Sequence, residues 1–291
     1  MKTLLICVLI LFTTACYSQN KQAKKSDNSK PFILGEIDEI ESVELSEKRI
    51  LNIYLPEGYN QNDTTKYPVV YLLDGGADED FIHIVGLYQF NSFPWINRVP
   101  KSIIVGIANT DRKRDFTFPT TVATDQKRYP SSGHSDKFID FIEKELQPYI
   151  QNKYKTNDTK TIIGESLGGL LATEILFGKP TLFNKYIIVS PSLWWDNGSL
   201  LNSQFEILQK TFTAKTDIYI GVGKEGLTPS DIPRVMEVDV NLLAEKLKNS
   251  ESNSLNIYFD YLPQENHATV SHQAVFNALR LLSPVLKDDR E

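Results

Sequence analysis

Residues 161–170 read TIIGESLGGL, and the interpretation of the whole chain depends on this stretch. A β-branched run, Thr161 to Ile163, is followed at once by Gly164 and then by an apolar helical pattern. The glycines around Ser166 let a strand and a helix approach each other without a clash between Cβ atoms. The stretch therefore predicts either a glycine-rich structural turn that binds phosphate or a sharp elbow that presents a serine nucleophile.

Short apolar runs on both sides of this stretch alternate with helical patterns. The later runs are almost continuously hydrophobic, as expected for parallel strands covered on both faces, whereas the first two alternate and predict an antiparallel hairpin at one edge. The pattern predicts an α/β fold, with a mostly parallel central sheet and helices on both faces. The predicted strands are 37–45, 49–55, 68–73, 102–108, 160–163, 186–190, 217–222 and 256–261.

Helices are predicted at 135–150, 167–177 and 270–283, with a further helix that starts at Ser230 or Asp231. For that further helix, the apolar spacing predicts an inward face made of Val235, Val238, Leu242 and Leu247. The least regular segments are 75–100 and 109–134. Because long loops at the carboxyl ends of strands form the binding sites of such folds, we expect the binding site there.

The motif around Ser166 fits G-x-S-x-G, with Gly169 as an additional glycine. It follows an apolar strand and opens a helix, which is the context that a nucleophile elbow requires. Dinucleotide and phosphate-loop motifs place their glycines and lysine differently, so the sequence favours the elbow over the phosphate-binding turn.

A serine nucleophile needs a base, and the chain has four histidines. His267 stands between the last predicted strand and the last helix, which gives the chain order serine, acid, histidine. The other three are assigned to a variable loop (His83), a local turn (His134) and the last helix (His272). His267 is therefore the predicted general base.

The triad acid is predicted in a loop after a strand that lies between Ser166 and His267. Glu225 fits best, and Asp196 and Asp231 remain competitors. The oxyanion hole needs two backbone N–H donors, which are predicted to come from Leu167 and Gly75. No His, Cys and Asp spacing typical of a metal site occurs, so neither a metal nor an organic cofactor is expected.

Composition and charge exclude some classes of function. The 291 residues are 41% hydrophobic with a net charge of −6, so no electrostatic footprint for nucleic acid is present.

Residues 1–18 read as a signal peptide, in which Cys16 fits a lipoprotein cleavage site; cleavage after Ser18 is the alternative. A polar linker, 19–31, is predicted to precede a single domain, 32–291. We expect an exported protein, periplasmic or on the outer surface, attached to a membrane if Cys16 is lipidated.

Several motifs together resemble the esterase branch of the α/β-hydrolase superfamily, which includes siderophore (enterobactin-type trilactone) esterases and relatives of S-formylglutathione hydrolase. The resemblance spans about residues 35–285 and is carried in order by YPVVYLLDGG, RDFTFPT, HSDKFIDFIEKELQPYI, GESLGGL, LFNKYIIVSPSLWWD and ENHATV. It implies the α/β-hydrolase fold and a serine hydrolase of carboxylic esters, with Ser166 as nucleophile, His267 as base and Glu225 where many members carry the acid. The family commonly reads G-H-S-L-G-G, and Glu165 replaces that histidine here.

The expected substrate is a small-molecule ester, of the siderophore type or another bulky ester. Arg112 and Arg114 are candidates to bind an acidic or catecholate group, and Trp194 and Trp195 are candidates for an apolar pocket wall. A feruloyl or acetyl polysaccharide ester, a thioester, or a catalytically silent binding domain are the alternatives. The sequence leaves the oligomeric state open.

Overall fold

The computed structural model describes residues 30–283, and residues 34–283 form one compact unit. The predicted signal peptide and Cys16 lie outside the described residues. Within residues 30–283, no helix is both long and apolar enough to cross a bilayer.

All eight predicted strands are present and join one sheet in the order β1-β2-β4-β3-β5-β6-β7-β8. The predicted edge hairpin is confirmed, because β1 and β2 pair antiparallel and β2 pairs antiparallel with β4. From β3 to β8 all pairings are parallel. The strand bounds are β1 Glu36–Ser42, β2 Glu47–Tyr54, β3 Tyr67–Leu72, β4 Ile103–Ile107, β5 Thr156–Glu165, β6 Lys185–Val189, β7 Thr216–Gly223 and β8 Leu255–Leu262.

Helices cover both faces of this sheet, so the predicted α/β-hydrolase architecture is confirmed. One face packs against α1 and α9, and the other packs against α4, α5, α6 and α8, with a separate apolar core on each side. The helix bounds are α1 Phe81–Asn91, α2 Arg112–Phe116, α3 Ala123–Arg128, α4 Ser135–Phe141, α5 Gln147–Lys153, α6 Leu167–Gly178, α7 Ser199–Asn202, α8 Met236–Lys248 and α9 Val270–Leu282.

The helix predicted to start at Ser230 or Asp231 starts instead at Met236. The preceding residues form a loop closed by a bridge between Leu227 and Val235. With this later start, Val238 and Leu242 are half exposed, so the predicted inward face is wrong at both positions. The residues buried on the inner face of α8 include Met236, Val240, Leu243 and Leu247.

Candidate active site

Ser166 occupies the elbow between β5 and α6. Its backbone has φ 58° and ψ −116°, a sparsely populated combination that persists only where the surroundings enforce it. The surroundings here are close-packed: a Cβ on Gly164 would overlap the carbonyl of Gly168, and one on Gly169 would lie 2.8 Å from the carbonyl oxygen of Val189. The glycines therefore allow β5, α6 and β6 to converge on the serine.

The elbow brings Ser166 to His267, which precedes α9 in the loop after β8. Ser166 Oγ lies 2.9 Å from His267 Nε2, and His267 Nδ1 lies 2.6 Å from Glu225 Oε2. The hydrogen bond to Glu225 raises the pKa of His267 above its ordinary value of 6.5, because it favours the imidazolium form. The structure thus joins the predicted nucleophile, base and acid in one hydrogen-bonded chain.

The two competing acids lie elsewhere. Asp196 accepts hydrogen bonds from the hydroxyls of Thr120 and Thr121 and from the Thr121 amide, so it holds the loop before α3. Asp231 contacts the Thr124 hydroxyl on α3. Of the three candidates, Glu225 is the carboxylate that contacts His267.

The predicted oxyanion-hole donors differ in their surroundings. Leu167 begins α6, and N–H groups in the first turn of a helix have no intrahelical acceptor. The N–H of Gly75 instead donates to the carbonyl of Ile107 at 3.0 Å, so the prediction that it is a free donor is wrong. Gly75 is a glycine because its Cα lies against the backbone of Gly106, where a Cβ would overlap it.

A cleft flanks Ser166 on two sides. On one side a hollow of about 160 Å³ is lined by residues that include Arg112, Lys113, Tyr129 and Trp195. On the other, a hollow of about 250 Å³ is lined by His267, Glu225 and the loop before α8. Both hollows are also lined by Ser166, Ser192 and Trp194. Ser166 therefore stands between two spaces, each of which could hold one half of an ester.

The predicted substrate-binding residues separate into two groups. Arg112 and Trp194 line the cleft, and Trp195 lines it with a nearly buried side chain whose Nε1 donates to the carbonyl of Phe118. Arg114 does not line either hollow, so the prediction for Arg114 is wrong. Its guanidinium is paired with Glu47 and Asp115, and these ion pairs connect α2 to β2.

Arg112 is in the cleft, but a carboxylate already pairs with its charge. Its Nε and Nη2 donate to the two carboxylate oxygens of Asp74 at 2.5 and 2.9 Å, and Nη2 lies 3.2 Å from the backbone oxygen of Glu165. Bidentate pairs of this kind are geometrically rigid. Arg112 therefore supports the wall beside the elbow, and its availability to an anionic substrate is reduced.

Glu165 places a second carboxyl beside His267. Its Oε1 lies 4.0 Å from His267 Nε2, and the side chain is 21% exposed. Burial raises the pKa of Glu165 to about 7, although the neighbouring His267 and Arg112 act in the opposite direction. At neutral pH this position therefore carries a carboxyl that is only partly ionised, where the resemblance implies histidine.

Among the hydrogen bonds of residues 30–283, Ser166 has no partner among the remaining three histidines. His83 on α1 and His272 on α9 contact each other, with 2.5 Å between Nε2 and Nδ1, and His134 is the residue before α4.

Sequence reasoning did not assign roles to Ser190 and Ser192, whose hydroxyls contact Glu225 and Ser166. The signal for both was their position in SPSLWWD, directly after a strand that neighbours the elbow. Within residues 30–283, no three His, Cys, Asp or Glu side chains converge as metal ligands.

Comparisons with known proteins show which family and which solved structures this chain resembles. The model of the Esterase family matches residues 42–259. The ferri-bacillibactin esterase BesA of Bacillus subtilis is 28% identical over 263 residues, which cover 81% of this chain and 85% of BesA. An IroE-like serine hydrolase from Shewanella oneidensis has 34% identity and a TM-score of 0.73, covering 86% of this chain and 80% of its own. The BES protein from Bacillus cereus has 28% identity and a TM-score of 0.72, covering 90% and 100%.

Proposed function

Since this chain belongs to the Esterase family and is a carboxylic ester hydrolase, we propose that it cleaves its substrates through an acyl-enzyme on Ser166. The observation that carries the proposal is the hydrogen-bonded chain from Ser166 through His267 to Glu225, at the meeting point of two hollows. A serine becomes nucleophilic when an adjacent base takes its proton, and the acid orients that base.

In the first half of the reaction, Ser166 Oγ attacks the ester carbonyl while its proton passes to His267 Nε2. Glu225 accepts a hydrogen bond from His267 Nδ1–H and stabilises the imidazolium that forms. The N–H of Leu167, together with the positive end of the α6 dipole, stabilises the developing oxyanion. The imidazolium then protonates the leaving alcohol, and in the second half a water molecule, deprotonated by His267, releases the acid.

Covalent labelling tests the acyl-enzyme directly. An aryl fluorophosphonate should add one phosphonyl group to the native protein at Ser166, as read by intact mass and peptide mapping. The matched control is Ser166→Ala, which should remain unlabelled and inactive. Absence of labelling in the folded wild-type protein would contradict the serine mechanism and favour a catalytically silent binding domain.

For the substrate we propose siderophore-type esters. Two observations support this: similar proteins carry the names ferri-bacillibactin esterase and IroE-like serine hydrolase, and the cleft offers room on both sides of the nucleophile. Chromatography with mass detection should show that a ferric trilactone is hydrolysed with a higher kcat/KM than feruloyl, acetyl or thioester substrates. A preference for feruloyl esters would instead assign the chain to the polysaccharide alternative.

We further propose that the mature protein is exported and anchored through a lipidated Cys16. The support is the apolar run followed by Ala15-Cys16 and a polar segment. The mass of the mature N-terminal peptide tests this proposal, and a diacylglyceryl modification on Cys16 is expected. An unmodified N-terminus after Ser18 would contradict lipidation and favour cleavage after Ser18, with export of a soluble protein.

A further inference from the structure

The turn after β6 places two buried serine hydroxyls against the catalytic chain. Ser190 and Ser192 are 0% and 2% exposed. The Ser190 hydroxyl donates to Glu225 Oε1, and Ser192 Oγ lies 3.3 Å from Ser166 Oγ. One short turn therefore contacts both ends of the chain, the acid and the nucleophile.

The backbone of the same turn is tied to the elbow and to the neighbouring strand. The Ser192 N–H donates to the carbonyl of Ser166 at 2.9 Å, and the Ser190 N–H donates to the carbonyl of Gly221 on β7 at 2.8 Å. Ser190 has a φ of 41°, in the left-handed region that non-glycine residues rarely adopt. This conformation and these hydrogen bonds fix the positions of the two serine hydroxyls.

The direction of the hydrogen bond between the two serines follows from counting protons. His267 Nδ1 carries the proton that points to Glu225, so Nε2 accepts the only hydroxyl proton of Ser166. Ser166 Oγ can then only accept from Ser192. Among the hydrogen bonds of residues 30–283, the hydroxyl of Ser192 has no partner other than Ser166 Oγ.

We propose that Ser192 and Ser190 are positioning residues for ester hydrolysis, Ser192 through the nucleophile and Ser190 through the acid. This inference rests on the proposed function. Ser192 holds the Ser166 oxygen in line with His267, and its donated hydrogen bond stabilises negative charge that grows on that oxygen as the proton leaves. When the bond between Oγ and the acyl carbon forms, the Ser166 proton goes to His267 Nε2, and Ser192 keeps its own.

Substitution of Ser192 tests the first part. Ser192→Ala should lower kcat about tenfold, the factor that one lost hydrogen bond to a charged group supports, and should leave KM within about twofold. Ser192→Thr, which keeps the hydroxyl, should restore most of kcat. The matched control is Ser252→Ala, which also removes a buried serine hydroxyl, one that donates to the carbonyl of Phe212 away from the cleft, and it should keep wild-type kcat.

The rate of phosphonate labelling separates this inference from the proposed function. If the wild type is labelled at Ser166 and Ser192→Ala is labelled about tenfold more slowly, with unchanged thermal stability, the result supports both the proposed function and the role of Ser192. Equal labelling rates for the two proteins would overturn only the role of Ser192. If the wild type itself does not label, the proposed function fails.

A double-mutant cycle tests Ser190. Because Ser190 is proposed to act through Glu225, Ser190→Ala should lower kcat several-fold in the wild type and have no further effect in a Glu225→Gln background. A purely structural residue would lower kcat by the same factor in both backgrounds, and that result would overturn the proposal for Ser190.

Discussion

At the scale of single residues, the site depends on groups held in positions that cost energy. Ser166 has a backbone conformation that isolated chains avoid, and the surrounding glycines leave room for three elements to enforce it. The Glu225 side chain is 5% exposed, and its carboxylate accepts from His267 and Ser190. Since an unpaired buried carboxylate is unfavourable, these hydrogen bonds fix its position.

The identity of the acid is testable at this scale. Glu225→Gln should lower kcat by about 10³ to 10⁴, because the amide can no longer hold the imidazole in the required tautomer or stabilise its charge. Asp196→Asn serves as the comparison and should keep near wild-type kcat, since Asp196 bonds to Thr120 and Thr121 and not to His267. Steady-state hydrolysis of a nitrophenyl ester measures both, and the reverse result would contradict our assignment.

Glu165 should control the pH dependence of activity. The side chain faces His267, Arg112 and the carboxylates of Asp74 and Asp80. Where Glu165 is ionised, its negative charge raises the pKa of His267, because it stabilises the nearby imidazolium. In Glu165→Gln that charge is absent, so the pKa of His267 should fall and the acid limb of kcat/KM should move to lower pH. The pH profile measures this, and an acid limb that stays in place would show that Glu165 does not influence the base.

At the scale of elements, the strands and α6 agreed with the sequence, whereas several other helices, including the 11-residue α1, did not. The strands and α6 follow from apolar runs and glycine positions, whereas α1, α2 and α3 lie in the segments that were predicted to be irregular. The helix predicted over 135–150 is present but contains a π turn from Ile142 to Leu146 and continues to Lys153. Helical periodicity predicts neither a short turn nor a local widening, because both depend on packing against other elements.

Glu174 connects two of these elements and should make stability depend on pH. It lies on α6, accepts from the hydroxyl of Ser135 at the start of α4, and has a pKa raised by burial from 4.5 to about 7. The folded protein thus binds more protons than the unfolded chain between these values, so the free energy of unfolding should fall as pH rises from about 4.5 to 7, by at most about 3 kcal/mol. Urea unfolding across this range should show a smaller fall for Glu174→Gln, and an identical fall would contradict the prediction.

At the scale of the whole molecule, a buried ionic cluster connects the sheet to the cleft. Arg49 on β2 and Asp115 on α2 both have fully buried side chains and pair at 2.6 Å. Glu47 and Arg114 complete the cluster. Because α2 also carries Arg112, which pairs with Asp74 beside the elbow, these charges determine where one wall of the cleft stands.

Removal of one partner should therefore destabilise the fold. Asp115→Ala leaves the Arg49 charge buried with a weaker set of partners and should lower the free energy of unfolding by about 3–5 kcal/mol. The control is Asp140→Ala, which breaks partly solvent-exposed pairs with Lys144 and Lys179 and should cost about 1 kcal/mol or less. Chemical denaturation measures both, and equal losses would contradict the importance of the buried cluster.

The sequence by itself determined the strand pattern, the elbow at Ser166 and the candidates His267 and Glu225, because hydrophobic periodicity and glycine placement are local properties. Only the tertiary structure places Glu225, and neither Asp196 nor Asp231, against His267; it also pairs Arg114 with Glu47 and Asp115 and bonds the Gly75 amide to the carbonyl of Ile107. It also brought Ser190 and Ser192 to the site. These outcomes depend on which distant groups meet across the sheet, and local sequence patterns do not specify such contacts; for Ser190 and Ser192 the sequence showed only their position directly after a strand.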